Sequence, residues 1–274
     1  MRYYYTNKTL YVRGKFKAVS TGVDGGIREV STLLNHTVAE DFDHEDPLQY
    51  IQGLLAKRGY DNDAFGLLTA VWMQNLCVLQ FDYITVFVTA GVTNPNPDPT
   101  KPHTINIIVV SAEGMSDAAL LETIITATEA KAHALRLLGR DFTGTTSDAV
   151  IAACEGEVVH TYAGTYTEPG KRIYAAVLHG VMEAVKRHEE TVIRKRPSYF
   201  IYSRYGEEGW FEWIKEDCPY YPCGDESLGE WIDSTSLGTK IWACSNCRLL
   251  HEPKRARYLK EHPDAEFSEI RNLE

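Results

Sequence analysis

Two apolar stretches, YITVFVTAG (residues 83–91) and TINIIVVSA (residues 104–112), decide the fold class of this 274-residue chain. Both are nearly continuous hydrophobic runs rich in β-branched side chains, which is typical of strands covered on both faces. Between them lies VTNPNPDPTKPH (92–103), whose prolines exclude regular structure. We therefore predict two buried strands joined by a proline-stiffened loop, and loops of this kind often carry binding groups.

Patterns of strand and helix alternate on both sides of these two stretches. In chain order they predict a hairpin over 3–14, a strand over 16–27 ending in a glycine turn, a helix over 64–78, a helix capped by Ser116 and ended by Gly139, a strand over 148–156, and a helix over 171–192. This alternation predicts an α/β fold, a layered sandwich of mostly buried strands with helices.

The composition changes near residue 197, which indicates a second domain. RKRPSY (194–199) is a basic run ended by a proline and is typical of a linker. Beyond it the chain is aromatic and acidic, with tryptophans at 210, 213, 231 and 242. We predict domains over 1–197 and 198–274, the second one small and cysteine-rich.

Charge and hydropathy limit the classes of partner. A formal net charge of −10 at pH 7 opposes the phosphate-neutralising surface that nucleic-acid binders need. No uninterrupted apolar run approaches the ~18 residues of a membrane-spanning helix, and the first residues lack an apolar signal segment. We expect a cytoplasmic protein with neither nucleic acid nor membrane as partner, and we leave a homo-oligomer open.

The six cysteines divide into two groups. Cys77 and Cys154 lie singly in apolar surroundings, which favours small buried hydrophobic residues over nucleophiles. The other four form a C-x4-C pair and a C-x2-C pair: Cys218, Cys223, Cys244 and Cys247. Two short chelating pairs suit one tetrahedral ion, and a closed four-thiolate site is typical of structural zinc. Free thiols, or His251 as a substitute ligand, are the alternatives.

The helix predicted from Ser116 contains TATEAKAHAL (126–135), with one acid and one lysine two positions apart. At about 100° per residue, Lys131 falls on the apolar face and Glu129 on the solvated face. Glu129 suits a surface pair with His133. Lys131 either packs its stem and extends its ammonium to solvent, or holds the amine in a partly dry pocket as a base or charge stabiliser.

Partners for that amine are expected from TGTTSDAV (143–150), which places Thr145, Thr146, Ser147 and Asp148 before a buried strand. Such clusters often only satisfy free backbone N–H groups of a turn. Acyl transfer needs the same groups, namely a hydroxyl nucleophile or an oriented water, a base, and donors for the oxyanion. VDGGI (23–27) adds Asp24 and two glycines with exposed N–H groups.

Several blocks in fixed order over residues 18–180 resemble the adenosylcobinamide amidohydrolase family of corrinoid salvage. They are AVSTGVDGGI, LLNHTV, GLLTAV, TAGVTNP, TINIIVV, ALLETIITATEAKAHAL, TGTTSDAVIAAC and YAGTYTEPGKRI. The resemblance implies hydrolysis of the amide that joins the corrin propionyl group to aminopropanol. The product would be adenosylcobyric acid for cobamide assembly, with the corrinoid as partner and no cofactor in the hydrolysis itself.

On this basis we assign hypothetical roles. The hydrolytic centre would contain Lys131, Thr145, Ser147 and Asp148, with Glu129 as a further catalytic candidate. Gly25 and Gly26 would help to hold the oxyanion, and Asn94 and Asn106 would orient the amides of the corrin rim. The remaining substrate-binding candidates are Asp24, Asn35, His36 and Glu168, of which the last two are also reserve acid–base groups.

Two departures from the family pattern keep a second function open. The family's turn usually reads GTxTD, so Ser147 stands in for threonine, and the loop over 92–103 carries extra prolines. A corrinoid-binding or delivery protein without turnover is the alternative.

The C-terminal stretches CPYYPC and WACSNCRLLH resemble the cysteine-rich small domain fused to corrinoid enzymes in methanogenic archaea. YSRYGEEGWFEWIKED (202–217), which precedes them, has no cysteine and so supplies no second cluster. A zinc-ribbon interaction module is the alternative interpretation of this tail.

Overall fold

The computed structural model describes residues 1–5, 8–92, 104–192, 200–206, 209–216, 229–234 and 239–244. Within them the strands, in chain order, are β1 Arg2–Tyr5, β2 Thr9–Ser20, β3 Gly26–Thr37, β4 Ala64–Thr69, β5 Cys77–Phe81, β6 Ile84–Gly91, β7 Thr104–Ser111, β8 Gly114–Met115, β9 Ala149–Cys154, β10 Val158–His160, β11 Phe200–Gly206, β12 Gly209–Glu216, β13 Gly229–Ser234 and β14 Thr239–Cys244. The helices are α1 Pro47–Ala56, α2 Asp117–Leu137 and α3 Glu168–Val192, with a 3-10 turn at Met73–Asn75.

The two stretches that decide the fold form β6 and β7 at the centre of the main sheet. They pair antiparallel from Ile84 opposite Ser111 to Gly91 opposite Thr104, and every residue of both strands is buried. The central order is β5-β6-β7-β9-β2, with β7 and β9 parallel and the other neighbours antiparallel. β3 pairs with β2, and β4 pairs with β3.

The core lies in layers on both faces of this sheet. One face packs against α2 and α3 through side chains such as Val88 and Val109. The other face, including Phe87 and Ile108, packs against β2, β3 and β4. Helix α1 covers that outer layer with Ile51 and Leu55. The predicted α/β layered sandwich is therefore confirmed.

Most of the predicted elements form as expected. The hairpin is β1 and β2, and β2 ends in a turn before β3. Helix α2 begins after Ser116, whose hydroxyl accepts from the N–H of Ala119 at 3.1 Å. Gly139 follows the helix with a φ of 74°, a conformation that glycine adopts without strain. Helix α3 begins at Glu168, slightly earlier than predicted.

The predicted helix over 64–78 is wrong, because this segment forms β4, the 3-10 turn and the start of β5. Phe65 and Leu67 face the inner core, while Ile51 of α1 lies against Gly66 on the other side. Since both faces of β4 are covered, its sequence lacks the alternation that marks a half-buried strand.

The predicted linker at 194–199 lies outside the described residues, and the boundary at residue 197 stays a prediction. Past that point the backbone of β11 pairs in parallel with β5, and that of β14 with β1. None of the described helices is long and apolar enough to cross a membrane.

Candidate active site

A polar site lies at the end of the central sheet where β6 ends and β7 and β9 begin. The TGTTSD turn (143–148) leads directly into β9, and the N–H of Ile105 in β7 donates to Asp148 Oδ1 at 2.9 Å. Helix α2 crosses the same end and presents Lys131 to the turn. The proline-rich segment 93–103, which contains Asn94, lies outside the described residues.

Lys131 is buried and paired rather than extended to solvent. Lys131 exposes only 7 % of its surface, and its ammonium forms an ion pair with Asp148 Oδ2. Gly144 lies against both groups, so closely that a Cβ there would overlap the ammonium and the carboxylate. An ammonium has three N–H donors, and Asp148 is the one acceptor of Lys131 among the described residues, so two of its donors have no acceptor there.

The Asp148 carboxylate holds the turn and the lysine in one arrangement. Oδ2 accepts from Lys131 and from the N–H of Thr145 at 3.0 Å. Oδ1 accepts from Thr145 Oγ1 at 2.5 Å and from the N–H of Ile105 at 2.9 Å. Four donors occupy the acceptor positions that a carboxylate offers, so Asp148 fixes the positions of Lys131 and the Thr145 hydroxyl.

Ser147 directs its hydroxyl to β7 instead. Thr104 Oγ1 donates to the Ser147 carbonyl at 2.9 Å and lies 2.8 Å from Ser147 Oγ. The two hydroxyls are hydrogen-bonded to each other, and either of them can be the donor. The structure thus brings Lys131, Thr145 and Asp148 into direct contact and places Ser147 on the same turn.

The glycine loop between β2 and β3 lies beside this turn. Thr21 exchanges two hydrogen bonds of 3.0 Å with Val150, two residues beyond Asp148. Asp24 adopts a φ of 52° and forms an ion pair with Arg28 at 2.8 Å. A Cβ at Gly25 would overlap the Ser20 carbonyl, so the close approach requires glycine. Donation by Gly25 and Gly26 to an oxyanion stays a prediction.

Asn35 and Asn106 form a buried polar chain below the site. Asn106 Nδ2 donates to Asn35 Oδ1 and to the Leu68 carbonyl, both at 2.9 Å, and Asn35 Nδ2 donates to Thr89 Oγ1 at 2.8 Å. These bonds join β3 and β4 to β6 and β7. Asn106 Oδ1 is buried and has no hydrogen-bond partner within the described part of the chain. In this arrangement the two amides support the inner layer.

The structure places His36 away from the centre, in the outer layer under α1. Its ring lies 2.6 Å from Thr9 Oγ1 and 3.0 Å from the Tyr50 hydroxyl, so both nitrogens are engaged. Burial, followed by the charges of Lys8 and Lys57, lowers the pKa of His36 to about 4. This histidine is therefore neutral at pH 7.

The two remaining acids also lie apart from Lys131. Glu168 accepts from the Tyr83 hydroxyl at 2.5 Å and pairs with Arg172. Tyr83 precedes β6 at the far end of that strand, which is roughly 25 Å long. Glu129 is exposed on the opposite face of α2, where it lines a different depression.

Neither Cys77 nor Cys154 is a candidate nucleophile. Cys77 and Cys154 are almost fully buried, and burial raises the pKa of Cys77 to about 12 and also raises the pKa of Cys154. Such thiols remain protonated and unreactive at neutral pH. The predicted burial of both is confirmed. The structure does not describe the side chains of the four predicted metal ligands, Cys218, Cys223, Cys244 and Cys247.

Sequence reasoning missed Gly144 and Thr104. Gly144 leaves space for the lysine, and the sequence signals this only by its position between two threonines. Thr104 contacts Ser147 only because β7 and the turn meet in space, more than forty residues apart along the chain.

A family model described as adenosylcobinamide amidohydrolase matches residues 1–192, and one described as cysteine-rich small domain matches residues 211–274. An adenosylcobinamide amidohydrolase of Methanosarcina mazei is 42% identical over 200 residues, which cover 69% of this chain and 100% of that protein. One of Halobacterium salinarum is 32% identical over 179 residues, covering 60% and 77% respectively.

Proposed function

This chain belongs to the adenosylcobinamide amidohydrolase family, and we propose that it hydrolyses the amide linking the corrin propionyl group to aminopropanol in adenosylcobinamide. The chain is thus an amidohydrolase that acts on a corrinoid. The proposed products are adenosylcobyric acid, available for cobamide salvage, and free aminopropanol. We also propose a cytoplasmic location. An archaeal source is proposed because both relatives named above are archaeal.

The buried Lys131–Asp148 ion pair beside Thr145 supports this proposal most strongly. Amide hydrolysis passes through a tetrahedral intermediate whose oxygen carries negative charge. An ammonium fixed in a mostly dry site, with two N–H donors that have no acceptor among the described residues, is suited to bind that oxygen. Asp148 orients the ammonium and stabilises its charge, so we assign Lys131 the oxyanion role and Asp148 a positioning role.

The attacking oxygen comes from Thr145 Oγ1 or from a water beside it. In the first route Thr145 Oγ1 adds to the amide carbonyl and the C–N bond breaks. Aminopropanol leaves with the proton of the threonine hydroxyl, and water then hydrolyses the ester formed on Thr145. In the second route water adds directly and supplies the hydroxyl of the acid and the proton of the amine. Both routes place the carbonyl oxygen at Lys131 and the hydroxyl of Thr145 beside the reacting carbon.

For substrate contacts, we propose the Gly25–Gly26 turn, held in shape by Asp24, together with Ser147 and Asn94. Asn35 and Asn106 are buried, so we propose that they support the floor of the site. His36, Glu168 and Glu129 have no part in the proposed chemistry, because their contacts lie elsewhere.

We also propose structural zinc, bound by Cys218, Cys223, Cys244 and Cys247. The match of residues 211–274 to a cysteine-rich small domain supports this assignment. Four thiolates close the coordination sphere, so this zinc would stabilise the C-terminal segment and take no part in hydrolysis.

The test is incubation of the full chain with adenosylcobinamide, followed by quantification of aminopropanol and of the corrinoid acid by mass spectrometry. Equal amounts of both products, formed over many turnovers, are expected. A corrinoid-binding or delivery protein would retain adenosylcobinamide in equilibrium dialysis and release no aminopropanol, and that result would overturn the proposal.

A further inference from the structure

An open depression of about 790 Å³ lies between α2 and α3, on the side of α2 opposite to Lys131. Glu129, His133 and Arg136 line one wall, and Lys171 and Tyr174 line the other. It is separate from the hydrolytic centre, because Lys131 and Glu129 occupy opposite faces of the helix.

The spacing of these residues makes two continuous walls. Glu129, His133 and Arg136 follow each other at i, i+4 and i+7, so they form a row about 10 Å long on α2. Lys171 and Tyr174 are three residues apart on the facing side of α3. The His133 ring nitrogen lies 2.7 Å from the Tyr174 hydroxyl, which joins the two walls at the floor.

The charge in the depression is opposite to that of the whole chain. Arg136 and Lys171 are both exposed, and neither forms an ion pair with another residue in the described part of the chain. Glu129 is the one acid among the described residues that line the depression. The chain has a net charge of −10, yet Arg136 of α2 and Lys171 of α3 both line this depression. Two cations at one site favour an anionic ligand.

An exposed aromatic ring completes the lining. Tyr166 is 95 % exposed and therefore contributes almost nothing to packing, yet it lines the same depression. An open tyrosine face beside cations suits a planar ligand ring, because stacking on an aromatic side chain is favourable for any nucleobase.

From these features we propose that the depression binds a nucleoside monophosphate. Arg136 and Lys171 would bind the phosphate from opposite walls, with the guanidinium donating two parallel hydrogen bonds. Glu129, two turns from Arg136 along α2, accepts hydrogen bonds from the ribose hydroxyls, a role for which an acid is well suited. The base stacks on Tyr166. Such a ligand fits the volume, which lies within the range of small-molecule sites.

The experiment is isothermal titration of the full chain with AMP, adenosine and inorganic phosphate, each alone. We expect AMP to bind at one site per chain, at least tenfold more tightly than either fragment, because phosphate and ring contacts act together. Arg136→Ala and Lys171→Ala should each weaken AMP binding at least tenfold, and Tyr166→Ala should weaken AMP and adenosine but not phosphate. Lys186→Ala, which removes an exposed lysine of α3 four turns away, is the matched control and should bind AMP normally.

Several results would overturn the proposal. One is that AMP does not bind at millimolar concentration. Another is that the Arg136→Ala and Lys171→Ala variants, with thermal unfolding like that of the parent, bind AMP as tightly as the parent does. Adenosine that binds as tightly as AMP would show that the cations are not used. Phosphate that binds as tightly as AMP would reduce the depression to a simple anion site and remove the nucleotide assignment.

Discussion

At the scale of single residues, Gly144 makes the Lys131–Asp148 ion pair possible. A methyl group there would overlap both charged groups, so Gly144→Ala has to separate them or move the turn. We expect at least a tenfold loss of aminopropanol release and a loss of about 1–3 kcal/mol in the free energy of unfolding. Both are measurable, by product assay and by urea denaturation.

Gly53→Ala is the control for that substitution. Gly53 lies inside α1 with open space around its Cα, so alanine should raise the free energy of unfolding by about 0.5–1 kcal/mol and leave activity unchanged. If Gly144→Ala kept the activity and stability of the parent, as Gly53→Ala should, the close approach at Gly144 would not be needed for catalysis.

The Thr145 hydroxyl is the second residue on which the mechanism depends. Thr145→Ser keeps the oxygen that donates to Asp148, whereas Thr145→Ala removes it. We expect the serine variant to remain within about tenfold of the parent kcat and the alanine variant to lose at least about 100-fold, or about 2.7 kcal/mol of transition-state stabilisation. Equal activity of the two variants would exclude the hydroxyl from the reaction.

Intact-protein mass spectrometry under single-turnover conditions separates the two routes to the products. A corrinoid acyl adduct that maps to Thr145 would identify the threonine as nucleophile. Hydrolysis without such an adduct, combined with loss of activity in Thr145→Ala, would assign the attack to a water positioned by the hydroxyl.

His36 makes the stability of the fold depend on pH. Its folded-state pKa of about 4 lies below the ordinary value of 6.5, so the unfolded chain binds the extra proton between these values. The stabilisation is complete above pH 6.5 and is lost as the pH falls toward 4, by about 3 kcal/mol in total. Relative to His36→Gln, the parent should lose this amount in urea denaturation across that range; parallel pH profiles would contradict the assignment.

At the scale of elements, Asn35 connects the outer strands to the central sheet. Asn35→Ala would remove one of the two acceptors of the buried Asn106 amide and the donor to the Thr89 hydroxyl, at a cost of about 1–3 kcal/mol. Ser31→Ala on the same strand removes an exposed bond to Asp63 and should cost at most about 0.5 kcal/mol. Urea denaturation of both variants tests this, and equal costs would show that the buried chain does not link the layers.

How well each element was predicted depends on whether its burial is one-sided. Helix α2 has a polar and an apolar face and a capping serine, so its limits and the orientation of Lys131 followed from the sequence. Strand β4 is covered on both faces, so its sequence lacks the alternation of polar and apolar residues, and its bulky apolar residues wrongly predict a helix. The runs of β6 and β7 were recognised because they are rich in β-branched residues and are bounded by proline-containing sequence.

The site was predictable where its parts are close in sequence. Lys131 and the TGTTSD turn are joined by one helix end, and their contact follows from local geometry. Glu168 and His36 were grouped with them only by their place in resembling blocks. Strand pairing instead puts Glu168 beside Tyr83 and turns His36 toward Tyr50, and both partners depend on the tertiary fold.

At the scale of the whole molecule, we expect hydrolysis and metal binding to reside in different parts of the chain and to be independent of each other. The Methanosarcina relative is matched over its full length by 69% of this chain, and the hydrolase family model covers residues 1–192. A chain truncated after residue 197 should therefore keep amidohydrolase activity within about tenfold. Loss of activity in a folded truncated chain would assign the C-terminal segment a part in catalysis.

The C-terminal segment should carry the metal. Elemental analysis of the full chain is expected to give about one zinc per molecule, and the truncated chain should contain none. Replacement of Cys218 and Cys223 by serine should abolish the bound zinc without affecting hydrolysis. A full chain that is folded but free of metal would contradict the four-thiolate site.

The central claim, that the buried Lys131 ammonium stabilises the charge formed when the corrinoid amide is cleaved, is tested most directly by Lys131→Met. Methionine keeps the length of the side chain and removes its charge, and thermal unfolding shows whether the variant folds. We predict a loss of at least about 100-fold in the rate of aminopropanol release from adenosylcobinamide. A folded variant that releases aminopropanol at nearly the parent rate would contradict the claim.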